Sequence, residues 1–76
     1  MQLRDAISLK ENQVLDQSQV KIEAESGNCV LLFRNRITEE WLELENFRNE
    51  VRQFKTPDAA LSAAKKVGFD EVVVKM

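Results

Sequence analysis

The groups in this chain that could do chemistry are two close carboxylate pairs, Glu39/Glu40 and Glu43/Glu45, one thiol, Cys29, and five cations between Arg34 and Lys55. Paired carboxylates serve acid–base hydrolysis or hold a hard cation. Pairs at this spacing in a surface strand or a first helical turn are usually a solvated face. The chain has no histidine, which removes the commonest general base, the commonest metal ligand and every histidine-dependent triad. It has no tyrosine either, and one cysteine without histidine cannot build a zinc site. Gly27 and Gly68 are the only glycines, each with a turn or a helix end to explain it, so the glycine-rich phosphate loops are excluded. Cys29 opens the apolar run CVLLF with no basic neighbour in sequence to activate it as a reactive thiol, and reads as a small core residue. The expectation is a protein that is not an enzyme, with no cofactor, no metal and no small-molecule substrate.

The cations invite a second chemistry. Arg34, Arg36, Arg48, Arg52 and Lys55 could line one side of a sheet, with Trp41, Phe33 or Phe47 as stacking surfaces for a nucleic acid. Glu39, Glu40, Glu43, Glu45 and Glu50 lie in the same stretch, and the whole chain carries a net charge of −2. Phosphate neutralisation supplies most non-specific affinity, so nucleic-acid binding would require the fold to sort these charges by face. A hairpin here would hold Arg48 and Arg52 near its turn, away from Glu39 and Glu40. The sole tryptophan of so small a domain is expected in its core, with an exposed anchor for a partner as the alternative. The candidate interaction surface is Arg34, Arg36, Trp41, Glu43, Arg48 and Arg52.

The element that must hold such a surface is clearest near the C-terminus. In TPDAALSAAKKVG, Thr56 can cap a helix whose first position is Pro57, where the missing N–H costs nothing. Asp58 sits at the positive end of the helix dipole, and Lys65 with Lys66 at the negative end. Gly68 can take the left-handed stop, letting Phe69 fold back onto Ala63 or Ala64. Ala60, Leu61, Ala64 and Val67 share one face, which predicts a helix over 57–67 lying on a sheet. The strand-like VRQF precedes it and EVVVK follows.

Upstream, Leu3, Ala6 and Ile7 give a stripe for one or two helical turns, too short to stand alone. VKIEAE (20–25) alternates as a half-buried strand, Ser26–Asn28 is a turn, and CVLLF, apolar on both faces, is an interior strand. The segment 38–54 has two readings. As a helix, Trp41, Leu44, Phe47, Val51 and Phe54 fall at near-heptad spacing behind a cap at Thr38. As a hairpin, Trp41–Glu45 and Glu50–Phe54 flank a turn at Asn46–Asn49, with Asn49 able to take positive φ. The hairpin is preferred because it completes a sheet for the 57–67 helix to cover. The predicted fold is a single α+β domain over 1–76: an antiparallel-rich sheet of about five short strands covered by one helix (57–67), with a short N-terminal helix. A two-helix α+β fold with a helix at 39–54 is the alternative.

Seventy-six residues can order only one core. The longest apolar run, Cys29–Phe33, is far below membrane-span length, and MQLRDAISLKE lacks the features of a signal peptide. With a lone cysteine, these point to a cytoplasmic protein without membrane contact.

The string WLELENFRNEVRQFKTPDAALSAAKKVGFDEVVVK resembles small proteobacterial proteins of plasmids and integrative elements, some described as partition-associated or ParC-like. Trp41, Arg52, Phe54, Asp58, Ala59, Ala60, Gly68 and Phe69 carry the likeness; Asn49 departs from it, standing where glycine is expected. The resemblance implies residence on a mobile element and a small αβ fold, and brings no catalytic residue. The leading expectation is a non-enzymatic protein-interaction module of a mobile element, binding a protein partner or itself through a sheet edge or the face around Trp41. An accessory nucleic-acid binder in partition or regulation is the alternative. A small acidic inhibitor of a host defence protein, with Glu39 to Glu50 imitating phosphate charge, is a third reading.

Overall fold

The computed structural model describes residues 1–76. Its elements run α1 (Leu3–Glu11), β1 (Leu15–Ile22), β2 (Cys29–Asn35), β3 (Trp41–Glu43), β4 (Gln53–Phe54), α2 (Pro57–Val67) and β5 (Val73–Lys75). The five strands form one mixed sheet, so the chain is a small α+β domain and 38–54 is not a helix.

β2 is the interior strand. It pairs antiparallel with β1 through the turn that Gly27, at φ 73°, helps to make. Its other edge is shared end to end: β3 pairs with Leu32–Arg34 and β4 with Cys29–Val30. The expected hairpin therefore has its turn where predicted, but its arms do not zip together. A single bridge, Glu45 to Val51, joins them. Each arm pairs instead with β2, whose CVLLF segment offers a run of apolar rungs.

α2 carries the chain across the sheet from β4 at one edge to β5 at the other, where β5 runs parallel to β1. Its capping follows the sequence closely. Thr56 Oγ1 accepts from the Ala59 amide at 3.2 Å, Gly68 takes φ 116°, and the Phe69 amide donates to the Ala64 carbonyl at 3.1 Å. Phe69 then stacks on Phe33 with ring centroids 5.6 Å apart. α1, nine residues long, packs beside α2 on the same face.

The core lies between the two helices and that face. Cys29, Leu31 and Phe33 of β2, Val20 of β1, Leu44 and Phe54 meet Ala6, Ala60, Ala63, Ala64 and Val67 from the helices. Small helix residues let α2 approach the sheet closely. Strand β1 differs from the VKIEAE expectation. It starts five residues earlier, at Leu15, and stops at Ile22, leaving Ala24 exposed in the turn. A bulge between Leu15 and Gln17 breaks the alternation that would have revealed its start, and buried Ser18 sits on the core side, its hydroxyl donating to the Leu32 carbonyl at 3.4 Å.

Candidate interaction site

Alternation puts residues that are partners in register on the same face of the sheet. On the face without helices, Trp41, Arg34 and Gln17 form one row; Glu43, Leu32, Gln19 and Val73 a second; Gln53, Val30, Lys21 and Lys75 a third. Three of the six predicted surface residues, Arg34, Trp41 and Glu43, thus share this open face. Trp41 is 41% exposed, which corrects the expectation of a core tryptophan. Both helices took the other side, and Phe33 with Phe69 fills the core in its place. Phe33, 0% exposed, is no stacking surface.

Arg34 is already engaged. Its guanidinium donates to Asp16 at 2.7 Å and lies 3.3 Å from Glu39, so its charge is spent within the domain. Arg36 is apart from the face: its Nε donates to the Gln13 carbonyl at 2.9 Å, pinning the segment after β2 to the α1–β1 turn.

Arg48 and Arg52 belong to a different site. Between β3 and β4 the chain leaves the edge of β2, turns at Asn46–Asn49 and returns. The Asn46 amide donates to the Glu50 carbonyl at 2.8 Å, and the Asn49 amide to the Asn46 carbonyl at 3.0 Å. Asn46 Oδ1 accepts from the amides of Arg48 and Glu50, at 2.9 and 3.2 Å. This is the side-chain turn for which asparagine is suited, and Asn49 completes it at φ 63°. The N-terminal segment braces the loop from outside: the Glu45 amide donates to the Met1 carbonyl at 2.7 Å, Gln2 Nε2 donates to Asn49 Oδ1 at 3.3 Å, and the N-terminal ammonium pairs with the Glu45 carboxylate.

What this braced loop presents is Phe47, 81% exposed and the most exposed aromatic side chain of the molecule. The Arg48 guanidinium lies 5.8 Å from the Phe47 ring centroid, and that of Arg52 4.8 Å from the Phe54 ring. Arg4, Phe47 and Arg52 line one shallow pocket of about 360 Å³. The ion pairs of the molecule involve only the N-terminus with Glu45 and Arg34 with Asp16 and Glu39, so Arg4, Arg48 and Arg52 are free of carboxylate partners. Arg4 lies outside the predicted surface, and Phe47 enters the sequence reading only as a stacking surface for a nucleic acid. A signal for Phe47 did exist, since a side chain inside a four-residue polar turn has no route to the core.

Elsewhere, Cys29 is fully buried as a free thiol. No three carboxylate, cysteine or histidine side chains converge as a metal site, and no helix is long and apolar enough to cross a membrane. No family model, curated protein or solved structure matches the chain. The molecule is a small α+β domain whose sheet edge is broken by a hydrogen-bonded loop with an aromatic tip and arginine flanks.

Proposed function

We propose that the chain is a non-enzymatic protein-interaction module, and that the loop between β3 and β4 is its docking element. The observation that carries this is the exposure of Phe47 on a loop the sheet does not need. β3 and β4 lie on one edge of β2 and would join without it, yet the chain makes the excursion and fixes it with side-chain and N-terminal hydrogen bonds. A rigid loop with an aromatic anchor beside arginines has the composition of interface hot spots. The resemblance to small plasmid and integrative-element proteins supports a role as an accessory protein of a mobile element.

The test is to compare wild type with Phe47→Ala in sedimentation mass and in retention of a co-purified protein. The substitution should leave the thermal midpoint unchanged and remove the association. A Phe47→Ala variant that melts like a core deletion would show the loop to be structural, and an association indifferent to Phe47 would overturn the reading.

The free guanidinium groups of Arg4, Arg48 and Arg52 favour a second reading, an accessory nucleic-acid binder that uses the same loop on a phosphate backbone. That reading requires a salt-dependent mobility shift of a single-stranded oligonucleotide, abolished by Arg48→Glu with Arg52→Glu. No shift in low salt would eliminate it.

A further inference from the structure

We infer that copies of this chain associate head to tail, the Phe47 loop of one molecule seating in an acidic groove of the next; this rests on reading the loop as a docking element. The groove, of about 740 Å³, opens where β1 outruns its neighbour. β1 spans Leu15–Ile22, whereas β5 pairs only with Gln19–Lys21, so the first half of β1 faces the chain leaving α2 across a gap. Leu15, Phe69, Val72 and Val73 are its apolar lining, of which Val73 is the most exposed, and Asp16, Asp70, Glu71 and Lys10 its charged one. Asp16 is held by Arg34, and Lys10 Nζ lies 5.1 Å from the Phe69 ring centroid. Asp70 and Glu71 are exposed and have no ion-pair partner.

Loop and groove are complementary in kind. One is an aromatic knob flanked by unpaired arginines; the other is a hollow with apolar lining and unpaired carboxylates. They also lie at opposite ends of α1 and at opposite edges of the sheet. The loop is tied to Gln2, just before α1, and interrupts the β3/β4 edge. The groove begins at Lys10, in the last turn of α1, and opens at the β5 edge. A molecule therefore cannot fill its own groove. A patch that docks on a different patch of an identical molecule makes a heterologous contact, which propagates as an open chain or closes as a ring. Association through charge-matched contacts of this kind grows with protein concentration by mass action and weakens with salt.

The test is sedimentation velocity on the full chain with two variants, Phe47→Asp in the loop and Asp70→Lys with Glu71→Lys in the groove. All three side chains are exposed, so both variants should keep the wild-type circular dichroism melt. Wild type should run past the dimer as concentration rises, and each variant alone should stay monomeric. Their equimolar mixture should give one heterodimer and nothing larger, because it holds one working loop and one working groove. A wild type monomeric at every concentration overturns the inference, as does an association that survives the groove variant. In either case the docking reading of the loop is decided separately, by whether Phe47→Ala releases a co-purified protein.

Discussion

The amide of Arg52 donates to the carbonyl of Leu44 at 2.9 Å, joining the two halves of an interrupted edge strand across the seven residues between them. Leu44 stands on the core side of that junction. Its own amide donates to the Leu31 carbonyl at 2.8 Å, and its side chain is fully buried. Three residues on, Phe47 is almost fully solvated. One short segment thus holds a core anchor and a solvated aromatic side chain.

The first prediction follows from that separation. Leu44→Ala should cost about 2–5 kcal/mol in denaturant unfolding, the usual range for emptying a buried leucine site. Phe47→Ala should stay within about 0.5 kcal/mol of wild type, as surface substitutions do. Equal losses at both positions would mean that the loop packs against the domain in solution and is not free to dock.

The turn that lifts Phe47 depends on Asn49 at φ 63°. Left-handed backbone costs a branched side chain roughly 1–2 kcal/mol, while glycine adopts it freely. Asn49→Val should therefore destabilise by about that amount, and Asn49→Gly should stay within a few tenths of a kcal/mol of wild type, relief of left-handed strain being offset by greater unfolded-state freedom and loss of the Gln2 hydrogen bond. Amide exchange at Arg48 and Glu50 locates the effect. Both amides should exchange faster in Asn49→Val, and faster still in Asn46→Ala, which removes their common acceptor.

The parts of the fold legible in the sequence are those whose signals are local. α2 was readable to the residue because cap, proline, dipole charges and stop all lie within the segment itself, from Thr56 to Phe69. The turn at Asn46–Asn49 was readable for the same reason. Which strand the flanking arms would pair with was not, because β2 and each other were equally eligible by pattern, and the choice rests on long-range packing. The start of β1 was hidden by a bulge and by the inward Ser18. At the site, Arg34, Trp41 and Glu43 share a face, but Arg48 and Arg52 belong to the loop, and Arg36 binds the Gln13 carbonyl. No local pattern reveals which face of a sheet its helices will choose, and that choice decides whether Trp41 is buried or exposed.

That choice of face makes Trp41 a clean probe. With 41% of its surface exposed on the open side, it should emit at long wavelength in the native state and be readily quenched by iodide or acrylamide. Trp41→Ala should cost less than Phe33→Ala, for which about 3–5 kcal/mol is expected from an emptied aromatic core site. A blue-shifted, unquenchable native emission would place Trp41 in a dry environment and show that something covers the open face in solution.

Cys29 reports on the opposite property. Its thiol is fully buried on the last rung of the sheet, opposite Ile22 of β1 and Phe54 of β4. A thiol reagent should reach it only through an opening motion, so labelling of the native protein should be slow and should accelerate with denaturant. Two openings expose it: global unfolding, or local detachment of the two-residue strand β4. Short edge strands sit at the low end of local stability. If β4 detaches first, the labelling rate should depend weakly on denaturant and rise in Phe54→Ala well beyond the change in global stability. If labelling instead follows global unfolding at every denaturant concentration, β4 stays docked until the domain opens. The loop joining β3 to β4 is then presented from a rigid edge.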